Sequence, residues 1–85
     1  PCLVISHDAM NEHYTRVIVA PITSNTKKIY PFDHKLWDDV HIQGKVLMHQ
    51  LRTVDKSRFG RKISSLSLKE MHEIDVIIKL VLAIQ

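Results

Sequence analysis

A mainly β domain closed by a C-terminal α-helix is the fold class that the sequence predicts. Two observations carry the prediction. Through the first 55 or so of 85 residues, short β-branched apolar runs alternate with polar turns, the spacing of an antiparallel sheet. After a basic turn (Lys56, Arg58, Gly60, Arg61, Lys62) the apolar period changes to that of a helix. A chain of 85 residues holds a single domain with one core at most. A domain of this size removes only roughly 60–65% of its unfolded surface from water, so partner surfaces are expected.

The elements follow in order. Cys2 to Ile5 is the first strand. Ser6, His7, Asp8 and Asn11 mark a turn or a single helical turn. Arg16 to Ile22, rich in Val17, Ile18, Val19 and Ile22, reads as a strand buried on both faces. Pro21 within it lacks a backbone donor and belongs at a bulge or at the strand end. Ser24 to Lys28 is a loop, Ile29 to Leu36 a third strand bent at Pro31, and Trp37 to Gly44 a polar connection. Lys45 to Val54 is the longest β candidate.

Ser67 followed by Glu70 is the signature of a capping box opening the helix, with Leu66 and Met71 placed to staple its start. Met71, Ile74, Ile78 and Val81 form a core-facing stripe, and Lys69, His72, Glu73 and Lys79 occupy the rest. Val76, Leu80 and Ala83 lie off the stripe. Two uses of that second apolar face are open: cover by another chain, as in a homodimer or a bound peptide, or packing on loops of the same chain.

Composition narrows function less than fold. Twelve Lys and Arg against nine Asp and Glu give +3, a moderate attraction for polyanions that does not by itself make a nucleic-acid binder. The single cysteine, Cys2, rules out an internal disulfide framework and a thiolate zinc cage, and fits a reducing, cytoplasmic location. The apolar runs fall far short of the roughly 20 residues that span a bilayer, so no membrane is expected. His7, His13, His34, His41 and His72 show no metal-ligand spacing, and neither metal nor cofactor is expected. The chain opens directly on Cys2, Leu3, Val4 and Ile5 without a basic leader, which creates the expectation of a further N-terminal piece.

Five segments in register add to this reading: PCLVISHDAMN (1–11), VIVAPITS (17–24), YPF (30–32), GKVLMHQLRTVDKSR (44–58) and LSLKEMHEIDVIIKL (66–80). Together they resemble the MazF/PemK family of toxin endoribonucleases over essentially the whole chain. The resemblance implies an SH3-like β-barrel of the Kid/MazF/CcdB type, here N-terminally truncated. It also implies a homodimer that cuts single-stranded mRNA without a metal, and a cognate acidic, MazE-like antitoxin. The family's chemistry is attack of a ribose 2′-hydroxyl on its own phosphate, which requires a proton acceptor, stabilisation of the phosphorane and protonation of the leaving 5′-oxygen.

The same resemblance assigns residues. Thr23 matches the hydroxyl residue at the scissile phosphate, with Ser24 and Asn25 beside it for RNA. The Arg that accompanies it in the family would fall immediately before Pro1. Gln50 matches an amide in the long strand that reads a base edge, and Arg52 a basic position for phosphate or stacking. His49 departs from the family, where an acidic residue is commoner, and either shifts base preference or substitutes as acid or base. Each residue also has an ordinary use. Thr23 closes a turn with Ser24 and Asn25, and His49 packs in a strand. Arg58, Arg61 and Lys62, as a rim for RNA or an acidic tail, are otherwise a solvated turn. Trp37 and Phe59, as stacking faces, otherwise pack. Two alternatives to the toxin ribonuclease stand: a catalytically inactive homologue that binds antitoxin or RNA, and a gyrase inhibitor of the CcdB branch.

Overall fold

The computed structural model describes residues 1–37 and 42–84. Strand β1 spans Cys2–Val4, helix α1 Asp8–His13, β2 Arg16–Thr23, β3 Asp33–Lys35, β4 Lys45–Leu47, β5 Arg52–Asp55 and α2 Leu68–Val81. One-turn 3-10 helices occupy Met48–Gln50 and Lys56–Arg58. All strand pairings are antiparallel, and the sheet of five strands runs β1-β2-β4-β3 with β5 also paired to β2. The mainly β class with a C-terminal helix is therefore as predicted. Asp38, Asp39, Val40 and His41, half of the expected Trp37–Gly44 connection, lie outside the described residues.

β2 organises the molecule. Val17 and Val19 on one face and Ala20 on the other are buried, as a continuous β-branched run requires. Ile22 donates its N–H to the Pro1 carbonyl and Ile18 accepts from Ile5, so the even positions face β1. The odd positions, Pro21 among them, face β4 and β5. There the ladder is interrupted. Ile22 pairs with Val46, and continuing that register would set His49 opposite Val19, yet Arg52 stands there. The 3-10 turn at Met48–Gln50 accounts for the slip. The missing N–H of Pro21 thus faces a bulge, where no partner is needed.

This corrects the single strand expected over Lys45 to Val54: Gln50 and His49 stand in the turn, outside any ladder, and are exposed. The strand expected over Ile29 to Leu36 shrinks to β3. Tyr30 to Asp33 closes instead as a turn around Pro31, since Asp33 N–H donates to the Tyr30 carbonyl at 2.9 Å and Tyr30 N–H to Asp33 Oδ2 at 3.0 Å. The turn between β1 and β2 is a six-residue helix, α1, whose start is capped by the His7 ring.

α2 packs over β3 and the Met48–Gln50 turn. Ile74 joins Ala20, Leu36, Val46 and Met48 in the buried cluster, and Met71, Ile77, Ile78, Val81 and Leu66 close around it, so Ile77 widens the predicted stripe. Val76 and Leu80, the latter 59% accessible, are left exposed, as are Leu82 and Ile84. Among the described residues no loop covers that face. The capping box is only half formed. Ser67 Oγ accepts from Glu70 N–H at 3.1 Å, but the Glu70 carboxylate does not return the bond. It is fully buried, accepting from Trp37 N–H at 2.9 Å and from His34 Nε2 at 3.0 Å.

Candidate functional site

Where β2 ends, β4 begins and the 3-10 turn interrupts the sheet, the surface opens into a cleft of about 310 Å3. Thr23, Asn25, Tyr30, Asp33, Lys45, Leu47, His49 and Gln50 line it. Four of the six residues singled out from sequence meet here: Thr23, Asn25, His49 and Gln50. Ser24, though adjacent, is exposed outside the lining, and Arg52, exposed at the start of β5, is also outside it.

Each position has a local cause. Thr23 is the last residue of β2, and its Oγ1 accepts from Asn25 N–H at 3.3 Å, while Asn25 Oδ1 accepts from Lys27 N–H at 3.2 Å. These two side-chain turns bend the chain sharply at the cleft's edge. His49 and Gln50 reach the cleft because the turn lifts them out of the strand, and Gln50 Nε2 lies 3.3 Å from His49 Nε2.

The floor is a buried ion pair that sequence reasoning missed. β3 alternates its side chains, sending His34 towards α2 and Asp33 into the cleft. Asp33 pairs across the sheet with Leu47 and so lies diagonal to Lys45 on the same face. Lys45 Nζ donates to Asp33 Oδ2 at 2.9 Å and to the Lys28 carbonyl at 2.6 Å, and sits 5.5 Å from the centre of the Tyr30 ring. Burial pushes the Asp33 carboxyl up, but the hydrogen bonds from Lys45 and Tyr30 N–H, with the charges of Lys45 and His49, outweigh it and hold the group below its ordinary 3.8. The available signal was an acid and a base in two consecutive segments expected to be strands.

A second cleft of similar volume lies at the other end of β2, lined by Arg16, Thr53, Val54, Asp55 and Arg58. Asp55 caps the second 3-10 turn by accepting from Ser57 N–H, which with the charges of Arg16 and Arg58 holds its carboxyl below 3.8. Trp37 is no free stacking face: its Nε1–H donates to Glu73 at 2.7 Å and Lys69 Nζ sits 5.0 Å over its ring. Among the described residues no three His, Cys, Asp or Glu side chains converge as a metal site, and no helix is long and apolar enough to cross a membrane.

Comparison with known proteins adds four findings. The family of PemK-like, MazF-like toxins of type II toxin-antitoxin systems matches over residues 1–82. The endoribonuclease MazF9 of Mycobacterium tuberculosis (strain ATCC 25618 / H37Rv) is 32% identical over 88 residues, covering 94% of this chain and 75% of its own length. Among solved structures, an endoribonuclease in complex with its cognate antitoxin from a mycobacterial species superposes with a TM-score of 0.91 at 21% identity, covering 100% of this chain and 82% of that one, a likeness of fold. A MazE-MazF structure from Deinococcus radiodurans superposes with a TM-score of 0.86 at 27% identity, covering 100% and 86%.

Proposed function

The chain belongs to the PemK-like, MazF-like toxins of type II toxin-antitoxin systems, and from that premise we propose that it is an endoribonuclease that cuts single-stranded mRNA without a metal. The observation that carries the reading is the convergence of Thr23, Asn25, His49 and Gln50, from segments about 25 residues apart, on one open cleft with a buried cation at its floor. A flat, open cleft of this kind admits an unpaired strand and excludes the deep burial of a small ligand.

In this reading the ribose 2′-oxygen attacks the adjacent phosphorus and the P–O5′ bond breaks, leaving a 2′,3′-cyclic phosphate and a 5′-hydroxyl. Thr23 Oγ1 donates to a phosphate oxygen as charge builds in the phosphorane. Gln50 offers an amide donor and acceptor to a base edge, and Arg52 and Ser24 hold the strand beyond the cleft. The exposed face at Val76 and Leu80 pairs two copies of the chain, and an acidic, MazE-like antitoxin neutralises the toxin, as a MazE-MazF assembly exists in a relative.

The test is cleavage of a single-stranded RNA carrying every pentamer, in excess chelator, with the product ends identified. We expect cyclic-phosphate ends, and a loss on the order of 10²-fold in Thr23→Ala. Intact RNA with a folded wild-type chain would overturn the reading. One observation favours a second reading, a non-catalytic RNA- or antitoxin-binding module: the Thr23 hydroxyl already closes a turn on Asn25. That reading expects binding without cleavage, undiminished in Thr23→Ala.

A further inference from the structure

We propose that Asp33 is a positioning residue for His49, holding its imidazole as the Nδ1–H tautomer so that Nε2 takes the proton of the ribose 2′-hydroxyl; this rests on the ribonuclease reading above. The two oxygens of Asp33 differ. Oδ2 accepts from Lys45 Nζ and from Tyr30 N–H. Oδ1 is buried and has no hydrogen-bond partner among the described residues, a state few buried carboxylate oxygens tolerate. The group that faces it is His49 Nδ1, 3.9 Å away.

The opposite edge of the ring gives an independent constraint. Gln50 Nε2 lies 3.3 Å from His49 Nε2. An amide nitrogen only donates, so His49 Nε2 must accept, and the proton of a neutral ring then resides on Nδ1, facing the vacant oxygen of Asp33. Both neighbours ask for the same tautomer. A histidine oriented by a carboxylate behind it, with its outer nitrogen free to accept, is the arrangement of a general base. Asp33 is itself kept ionised by Lys45, so the order from floor to surface is Lys45, Asp33, His49 and then solvent.

The 3.9 Å separation is longer than a hydrogen bond and shortens when His49 engages substrate. In the step itself the substrate hydroxyl replaces the Gln50 amide at Nε2. Its proton passes to Nε2, the 2′-oxygen bonds to phosphorus, and the 5′-oxygen departs with its bonding pair and takes a proton from water. His49 then returns its proton to solvent, and no other reactant is consumed. Gln50, released from the ring, is free for a base edge.

The experiment combines kinetics with ¹⁵N NMR of His49 in the native chain, at a pH where the ring is neutral. The Nδ1–H pattern is expected in the wild type and a mixture of tautomers in Asp33→Asn. His49→Gln, an exposed substitution, should lower kcat on the order of 10²–10⁴-fold. Asp33→Asn should lower kcat at least about tenfold while KM stays within about twofold. Should Asp33→Asn fail to fold because Lys45 is left buried alone, the pair Asp33→Asn with Lys45→Met removes both charges and serves in its place. An Nε2–H ring in the wild type, or wild-type turnover by His49→Gln, would overturn the proposal. Absence of RNA cleavage by the wild type would instead overturn the ribonuclease reading, and the tautomer would then decide the Asp33–His49 linkage by itself.

Discussion

The carbonyl oxygen of Thr23 fills the space that a Cβ at position 44 would need. Gly44 is buried, has φ +143°, and the Thr23 carbonyl carbon and Ile22 Cγ2 stand 3.2 and 3.3 Å from where that Cβ would be. The two nearest atoms belong to the Thr23 backbone, which cannot swing aside as the end of a flexible side chain would. Gly44→Ala should cost about 3 kcal/mol, from overpacking together with a disfavoured φ. Urea denaturation measures it, and any folded fraction should show weakened RNA cleavage because Thr23 is displaced. Full stability in Gly44→Ala would refute the account of this contact.

Asp33 makes stability depend on pH in a definite direction. Its folded-state carboxyl titrates below the ordinary 3.8 that it recovers on unfolding. Its contribution is therefore complete above that ordinary value and is lost as pH falls through the lower, folded one. Lys45→Met should remove the principal partner, moving the Asp33 midpoint up and destabilising the chain by about 3 kcal/mol near neutrality. Carboxyl ¹³C titration with melting curves across acid pH provides the check. An unmoved Asp33 midpoint in Lys45→Met would contradict this.

Ser67 and Glu70 should behave unequally, although the sequence pairs them as one cap. Ser67→Ala loses a single helix-capping bond, worth about 1 kcal/mol. Glu70→Ala strands the Trp37 N–H and the buried His34 ring while opening a void, at about 3 kcal/mol or more. Equal losses in chemical denaturation would restore the reciprocal capping box.

Just past the C-cap of α2, Leu82, the chain turns at Ala83 with φ 56°, where Ile84 N–H donates to the Lys79 carbonyl and Ala83 N–H to that of Leu80. The six-to-one and five-to-two bonds form a terminus that favours glycine. Ala83→Gly should stabilise by roughly 0.5–1 kcal/mol, the relief of the left-handed strain less the added freedom of the unfolded chain. Differential scanning calorimetry at fixed concentration would show the rise in Tm, and a fall would argue against the strain.

How far sequence reached can be judged from particular residues. Period and β-branching located β2 and α2, because a strand with Val17, Val19 and Ala20 buried on opposite faces leaves a continuous apolar run and a helix leaves a stripe. The bulge after β4 was illegible for the converse reason. Met48 within the turn and Leu51 just after it both pack on the core, so apolar residues flank His49 and Gln50 on each side and mask the break. Glu70 misled because the pattern of a cap says nothing of a competing donor 33 positions away, the N–H of Trp37. Within the cleft, Thr23, Asn25, His49 and Gln50 were found through resemblance. Asp33 and Lys45 were not, since a buried ion pair depends on register and leaves no local signature.

The turn at Met48–Gln50 is held at both ends by one strand, with Val46 paired to Ile22 before it and Arg52 to Val19 after it. Met48 is anchored in the core, and positions 49 and 50 face outward. Divergence at those two positions is thereby uncoupled from folding: a lineage can try new side chains beside the cleft while every ladder bond and core contact stays in place. Folding therefore places no demand on the side chains at 49 and 50, and only the chemistry of the cleft constrains them.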